Sequence, residues 1–232
     1  MALLPDWKAL AGFALNTNLN GTVNLVVRDS ETLLIGLFRN QTEVGYFRLA
    51  QTVINLVHTP IDPLIAPTYA EITRTLAQRQ WNLTIRLLKR VSALAMAWTI
   101  PVGLVLAFFG WGIIPWIYGP ENYPAYPALA LLLLGYGFAS ILQWNRPLLL
   151  ALGMPGFPLK VMTLIGLVKT AFSLIFIPFF GYLAEAAILS GYFIVHISII
   201  VSRGIREIQT RSALSGSLAE QGHTPSEFAF RN

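Results

Sequence analysis

Six stretches of this chain run for about twenty residues with few charges in them, and no other property restricts its fold so tightly. A helix of roughly 20 apolar residues crosses the ~30 Å hydrocarbon core of a bilayer. The stretches are 9–37, 45–67, 87–109, 124–150, 159–179 and 183–201. Of the 232 residues, 55% are hydrophobic and 12% charged, whereas soluble domains carry about 25% charged residues. Mean hydropathy is +0.59. A transmembrane β-barrel would show short segments of alternating hydrophobicity, and none occur. The expected fold class is all-α: a polytopic membrane bundle of about six helices over 1–204, with a polar cytoplasmic tail over 205–232 expected to be disordered.

Turn chemistry separates the spans at Arg39-Asn40-Gln41-Thr42, Tyr118-Gly119-Pro120-Glu121-Asn122 and Gly153-Met154-Pro155-Gly156. The segment Met1 to Lys8 is too short and too sparsely charged for a signal-peptide leader and reads as a cytoplasmic lead-in. With the N-terminus inside, Lys8, Arg74, Arg79, Arg86, Lys89, Arg90, Arg146, Lys160, Arg203, Arg206, Arg211 and Arg231 fall on the cytoplasmic side. The other side receives little more than Arg39, with Arg48 near that end of its helix. Such asymmetry is the positive-inside signature; it places both termini in the cytoplasm and makes the net charge of +5 a matter of membrane topology rather than of nucleic-acid binding. Trp111, Trp116, Tyr118 and Tyr123 gather at the outer ends of the third and fourth spans, where amphipathic rings sit at headgroup level. No cysteine is present, so neither disulfides nor a thiol nucleophile enter the argument.

Polar residues interrupt the first two spans in a pattern. Asn16, Thr17, Asn20, Asn24, Arg28 and Glu31 recur at intervals close to 3.6, on one helical stripe, while Leu15, Leu19, Val23 and Val26 fall on the other side. Arg48, Gln51, Asn55, His58 and Asp62 repeat the device in the second span. In the fifth, Lys169 is the lone charge and shares its face with Gly166, Thr170 and Ser173. A charge near the bilayer centre costs roughly 2.5–3.5 kcal/mol on insertion scales, so such residues face a bundle interior or a wet cavity. Two readings follow. Either Arg28, Arg48 and Lys169 converge on an internal space, or Arg28 pairs with Glu31 one turn away and the amides serve as interhelical glue.

Pro60, Pro63 and Pro67 crowd the end of the second span, as a hinge or gate or as a plain helix end near Thr59. His58, His196 and His223 lack a carboxylate or second histidine at ligand spacing, so no metal site is expected. No Gly-rich phosphate loop and no Ser/His/Asp constellation occurs, and neither cofactor nor enzymatic activity is expected. Asn40-Gln41-Thr42 and Asn82-Leu83-Thr84 match the glycosylation pattern by chance.

The run from Asp29 to Gly36, followed by Glu43 to Ala50, resembles the first two helices of the second lobe of polysaccharide-type flippases of the multidrug/oligosaccharidyl-lipid/polysaccharide exporter superfamily. Ile65 to Ile72, Ile117-Tyr118-Gly119 with Tyr123 to Leu129, and Ile177 to Tyr182 with Ala186-Ala187-Ile188 continue the likeness, in order, over about 9–208. The resemblance implies a carrier of polyprenyl-diphosphate-linked oligosaccharides across the cytoplasmic (inner) membrane, built of two six-helix lobes around a central cavity. Only the second lobe is represented, so the stripes lack a facing wall, and the expected partner, besides membrane lipid and the lipid-linked oligosaccharide, is a first lobe or second subunit. Glu185 stands where a small residue is expected for close packing of the last two helices.

On that reading Arg28, Arg48 and Lys169 meet the anionic headgroup, because guanidinium and ammonium groups supply charge-assisted hydrogen bonds to a diphosphate. Asn20, Asn24, Gln51 and Asn55 meet sugar hydroxyls. Glu31, Asp62 and His58 tune or couple, and Pro60 and Pro63 lend flexibility to alternating access. A cation-coupled drug exporter would carry more acidic than basic groups in its cavity, and a membrane-embedded glycan polymerase or ligase would need a long outer loop bearing catalytic groups.

Overall fold

The computed structural model describes residues 30–220. Among them are eight α-helices and no strand: α1 (Ser30–Phe38), α2 (Gln41–His58), α3 (Ile65–Ala77), α4 (Trp81–Tyr118), α5 (Ala125–Ile141), α6 (Asn145–Ala151), α7 (Gly156–Phe180) and α8 (Tyr182–Glu220). Short 3-10 turns occupy Asp62–Leu64 and Pro120–Asn122. Four helical stretches have the length and composition to cross a membrane: Trp81–Tyr118, Ala125–Ala151, Gly156–Phe180 and Tyr182–Leu214. The chain is an all-α polytopic membrane bundle.

The burial pattern is that of a protein dissolved in lipid. Only 17% of the apolar window of α4 and 11% of that of α7 is buried, so Phe108, Leu164, Leu167 and Phe179 point outward from the bundle. Such faces would aggregate in water and are at home among acyl chains.

Four of the six expected spans correspond to these helices, with differences at their ends. The span 9–37 lies largely outside the described residues. The span 45–67 is not continuous, because α2 stops at His58. Pro60 has no N–H to offer the Leu56 carbonyl, and the Ile61 N–H turns to His58 O at 2.9 Å. The plain helix end near Thr59 is therefore what the prolines produce, with Pro63 in the 3-10 turn and Pro67 in the first turn of α3. The span 124–150 divides at a turn between α5 and α6, where the Asn145 N–H bonds Leu142 O. The expected disordered tail is helical as far as Glu220. Glu207 holds Arg203 at 3.4 Å and Arg211 at 3.0 Å, one turn to either side, and Ile208 is fully buried. Arg211 also donates to Leu152 O at 3.2 Å, which ties the extension to α6.

At each break a side chain of α4 satisfies one of the carbonyls released. Trp98 Nε1 donates to Val57 O at 3.1 Å, beside the α2 break. Ser92 Oγ donates to Ile141 O at 3.0 Å and itself accepts from Trp144 Nε1 at 2.7 Å, at the α5–α6 break. Hydrocarbon offers no substitute for such bonds, so the breaks survive only because α4 runs past both.

The core lies in two clusters. One joins α1, α2, α5 and α8 through Ile35, Phe47, Ile54, Leu129, Leu132 and Leu189. The other joins α3, α6 and the far part of α8 through Ile72, Leu148, Leu149, Ile200 and Ile208. Between α5 and α8 the backbones nearly touch: a Cβ on Gly135 would run into Ser190 Cα, and Ser190 Oγ donates to Leu131 O at 2.6 Å.

The α1–α2, α4–α5 and α7–α8 turns share one end of the bundle. There Asn40 caps α2 by accepting from the Glu43 N–H at 2.9 Å. Glu43 in turn pairs with Arg39 at 2.9 Å and accepts from the Tyr182 N–H at 3.1 Å. Gly181, at φ +63, leaves room for that carboxylate, which any side chain there would strike. Topology gathers Arg74, Arg79, Arg86, Lys89, Arg90, Arg146, Lys160, Arg203, Arg206 and Arg211 toward the opposite end.

Gly135→Ala should lower stability by about 1–3 kcal/mol through overpacking, whereas Gly191→Ala, with open space around it, should be neutral or gain about 0.5–1 kcal/mol. Thermal unfolding in detergent checks the pair, and equal midpoints would contradict the close α5–α8 approach.

Candidate functional site

Helix α2 carries two different faces. Phe47, Ala50, Val53, Ile54 and Val57 are buried against the bundle. Arg48 and Asn55 are exposed, and Gln51 and His58 are half-buried along the border between the faces. Asp62, exposed in the 3-10 turn, prolongs this stripe past the helix end, as do Pro60 and Pro63. The structure thus keeps the second stripe on one side of its helix and leaves it on the outside of the described bundle. Among the described residues no side chain pairs with Arg48; only its carbonyl is engaged, by Thr52 Oγ1 at 2.9 Å.

His58 departs from the sequence expectation. Its Nε2 lies 3.5 Å from Asp62 Oδ1 and its Nδ1 2.8 Å from Ser140 Oγ, so it does have a carboxylate beside it, one helical turn on. The turn after the broken helix end curls Asp62 back within reach. No group of three metal-ligating side chains occurs among the described residues.

Lys169 sits elsewhere, in a buried ionic cluster. Its Nζ lies 2.6 Å from Glu31 Oε1 and 3.0 Å from Glu185 Oε1, and Ser173 Oγ donates to Glu185 Oε2 at 2.5 Å. The three ionic side chains come from α1, α7 and α8. Lys169 is 8% exposed and Glu185 is fully enclosed, so the ammonium is held by carboxylates and is not an open cation lining a cavity. Its expected face is also narrower: Ser173 is buried with it, whereas Thr170 is exposed and bonds back to Gly166 O at 3.0 Å. Glu185 replaces the expected small residue because it neutralises Lys169, and that side-chain bridge joins α7 to α8. The sequence signal was present in the form of one ammonium and two carboxylates stranded in apolar spans, which in hydrocarbon must find one another.

Asn16, Thr17, Asn20, Asn24 and Arg28, the rest of the first stripe, lie outside the described residues.

Lys169→Met should destabilise the bundle by about 3–5 kcal/mol, since it strands buried carboxylates. Replacing Lys169, Glu31 and Glu185 together by apolar residues should recover much of that loss. Denaturant unfolding in micelles measures both, and a single variant as stable as the unaltered chain would mean the cluster holds nothing.

Comparison with known proteins identifies a family. The model of a family described as "Polysaccharide biosynthesis protein" matches residues 3–127, just over half of the chain, and takes in α1 to α4 with the stripe of α2. No curated protein and no solved structure matches.

Proposed function

The chain belongs to the polysaccharide biosynthesis protein family, and from that premise we propose that it forms one lobe of a carrier moving polyprenyl-diphosphate-linked oligosaccharides across the cytoplasmic membrane. One observation carries this reading: among the described residues an apolar bundle keeps Arg48, Asn55 and Asp62 exposed, with Gln51 half-buried beside them, as a polar strip on the outside of the described bundle instead of spending them on its core. Lipid is a poor neighbour for such a strip, so a facing wall of a second lobe or subunit encloses it in a wet path. Arg48 meets the diphosphate through charge-assisted hydrogen bonds, and the amides of Gln51 and Asn55 meet sugar hydroxyls. Arg28, Asn20 and Asn24, outside the described residues, are assigned to the same path from their sequence spacing alone. Lys169 acts at one remove, by holding α1 against α7 and α8. The role needs no bond-making step, so the protein works as a carrier rather than an enzyme.

Arg48→Ala should lower glycan export by at least about tenfold, the low end for losing a charged hydrogen bond, without reducing the amount of protein in the membrane. Leu164→Ala, on the outward face of α7, should export normally. Undiminished export by Arg48→Ala would remove the stripe from the transport path.

Orientation follows from the gathering of cations at one end, which the positive-inside tendency assigns to the cytoplasm. Because the chain has no cysteine, single substitutions report topology cleanly. Asn122→Cys should react with an impermeant maleimide in intact cells, and Asn82→Cys only after permeabilisation; the reverse pattern would invert the protein.

A further inference from the structure

Helix α8 changes character along one face. Val195 and Ile199 on that face are apolar and exposed, and the positions that follow them on the same side, Ser202, Arg203 and Arg206, are polar and exposed. The change falls where the membrane ends: from Tyr182, at the α7–α8 turn, to Ser202 is about 30 Å at 1.5 Å per residue, the thickness of the hydrocarbon core. A cavity of about 340 Å³ opens at that level, lined by Phe157 from the start of α7 and by Ser198, Ile199, Ser202, Arg203 and Arg206 of α8.

Positive charge is in surplus there. Glu207 serves both Arg203 at 3.4 Å and Arg211 at 3.0 Å, and among the described residues no carboxylate pairs with Arg206. Arg203 also lies 6.0 Å from the centroid of the Phe157 ring, a cation–π contact that draws its guanidinium across the seam toward α7. The hydroxyls of Ser198 and Ser202, one turn apart, have no hydrogen-bond partner among the described residues. Guanidinium forks and free O–H donors fit the oxygens of a phosphate, and the apolar residues one and two turns deeper fit a hydrocarbon chain attached to it.

Depth separates this cavity from a second cationic one. Arg79 and Arg86 line a cavity of about 370 Å³ at the start of α4. Arg86 is about 48 Å along α4 from Tyr118, well past a hydrocarbon core of ~30 Å, so that cavity opens to water. The one on α8 opens where acyl chains end.

We propose that the cavity between α7 and α8 binds the headgroup of an anionic phospholipid, with Arg203 and Arg206 on the phosphate oxygens, Ser202 donating beside them, and an acyl chain along Ile199 and Val195. Charge selects the occupant. A zwitterionic lipid brings an ammonium of its own to guanidiniums already in surplus, whereas an anionic one offsets them. The site is independent of the carrier reading: α7 and α8 alone line it, and no residue of the α2 strip takes part. A lipid so held pins the place where α8 leaves the hydrocarbon.

The experiment uses the full-length protein in phosphatidylethanolamine liposomes containing phosphatidylglycerol with a diazirine on its headgroup, and maps the labelled residues by mass spectrometry. Labelling of Phe157, Ser198 and Ser202, displaced by unlabelled phosphatidylglycerol and not by further phosphatidylethanolamine, is the expected result. Arg203→Gln combined with Arg206→Gln should raise the phosphatidylglycerol probe needed for half-maximal labelling by at least about tenfold, the low end for losing a charged hydrogen bond. The same charge change at the aqueous cavity, Arg79→Gln with Arg86→Gln, should leave it unmoved. Arg206→Gln alone breaks no carboxylate pair among the described residues; it covers the case in which the double variant does not fold, and it should raise the requirement as well. Labelling displaced equally by phosphatidylethanolamine, or unmoved by loss of Arg206, would overturn the proposal. An equal rise in the Arg79→Gln, Arg86→Gln variant would reduce the effect to overall charge and overturn it too. So would displacement by inorganic phosphate or by polyprenyl diphosphate in preference to phosphatidylglycerol, the latter giving the cavity to the carried lipid and leaving the carrier reading standing.

Discussion

Hydrocarbon makes no hydrogen bonds, and this one property of the solvent governs where the chain can bend and where it can keep a charge. A helix interrupted in water leaves its spare carbonyls to the solvent. In a bilayer each must be met by protein. At the α2 break and again at the α5–α6 break, the side chain that meets the freed carbonyl comes from α4, through Trp98 and Ser92 respectively. The long, lipid-facing α4 is thus the strut that makes two interruptions tolerable. Tyr126 Oη, donating to Ala107 O at 2.6 Å, adds a further tie between α4 and α5.

The same constraint sorts the ionic groups into two kinds. Glu31, Lys169 and Glu185 satisfy each other inside the bundle and so cement three helices. Arg48 and Asn55 stay exposed on the outside of the described bundle, and Asp62, exposed beyond the helix end, has His58 beside it. Residues that look alike in composition, isolated charges in apolar spans, therefore divide into a buried, mutually paired set and an exposed set. His58 stands between them, joined to Asp62 on one side and to Ser140 on the other.

Broken α2 brings two unlike surfaces together. Its polar strip and a groove lined by Ile54 and Val57 of α2 and by α4 and α5 approach each other at the helix end near His58, where the chain turns through Pro60 and Pro63 into α3.

The sequence by itself determined what depends on local periodicity and on the solvent. The helical class follows from apolar runs too long for anything else, the gathering of cations at one end from the order of turns, and the single-sided strip of α2 from spacings of three and four between Arg48, Gln51, Asn55 and His58. Depth and azimuth of one helix relative to another leave no periodic trace, so tertiary structure alone decided which charges meet. It gave Lys169 to Glu31 and Glu185, brought Asp62 back to His58, extended α8 through Glu207 to Glu220, and opened a groove lined by Gly103 and Gly137. Pairing across helices is a matter of approach within a few ångströms, and that distance is set by packing, not by spacing along the chain.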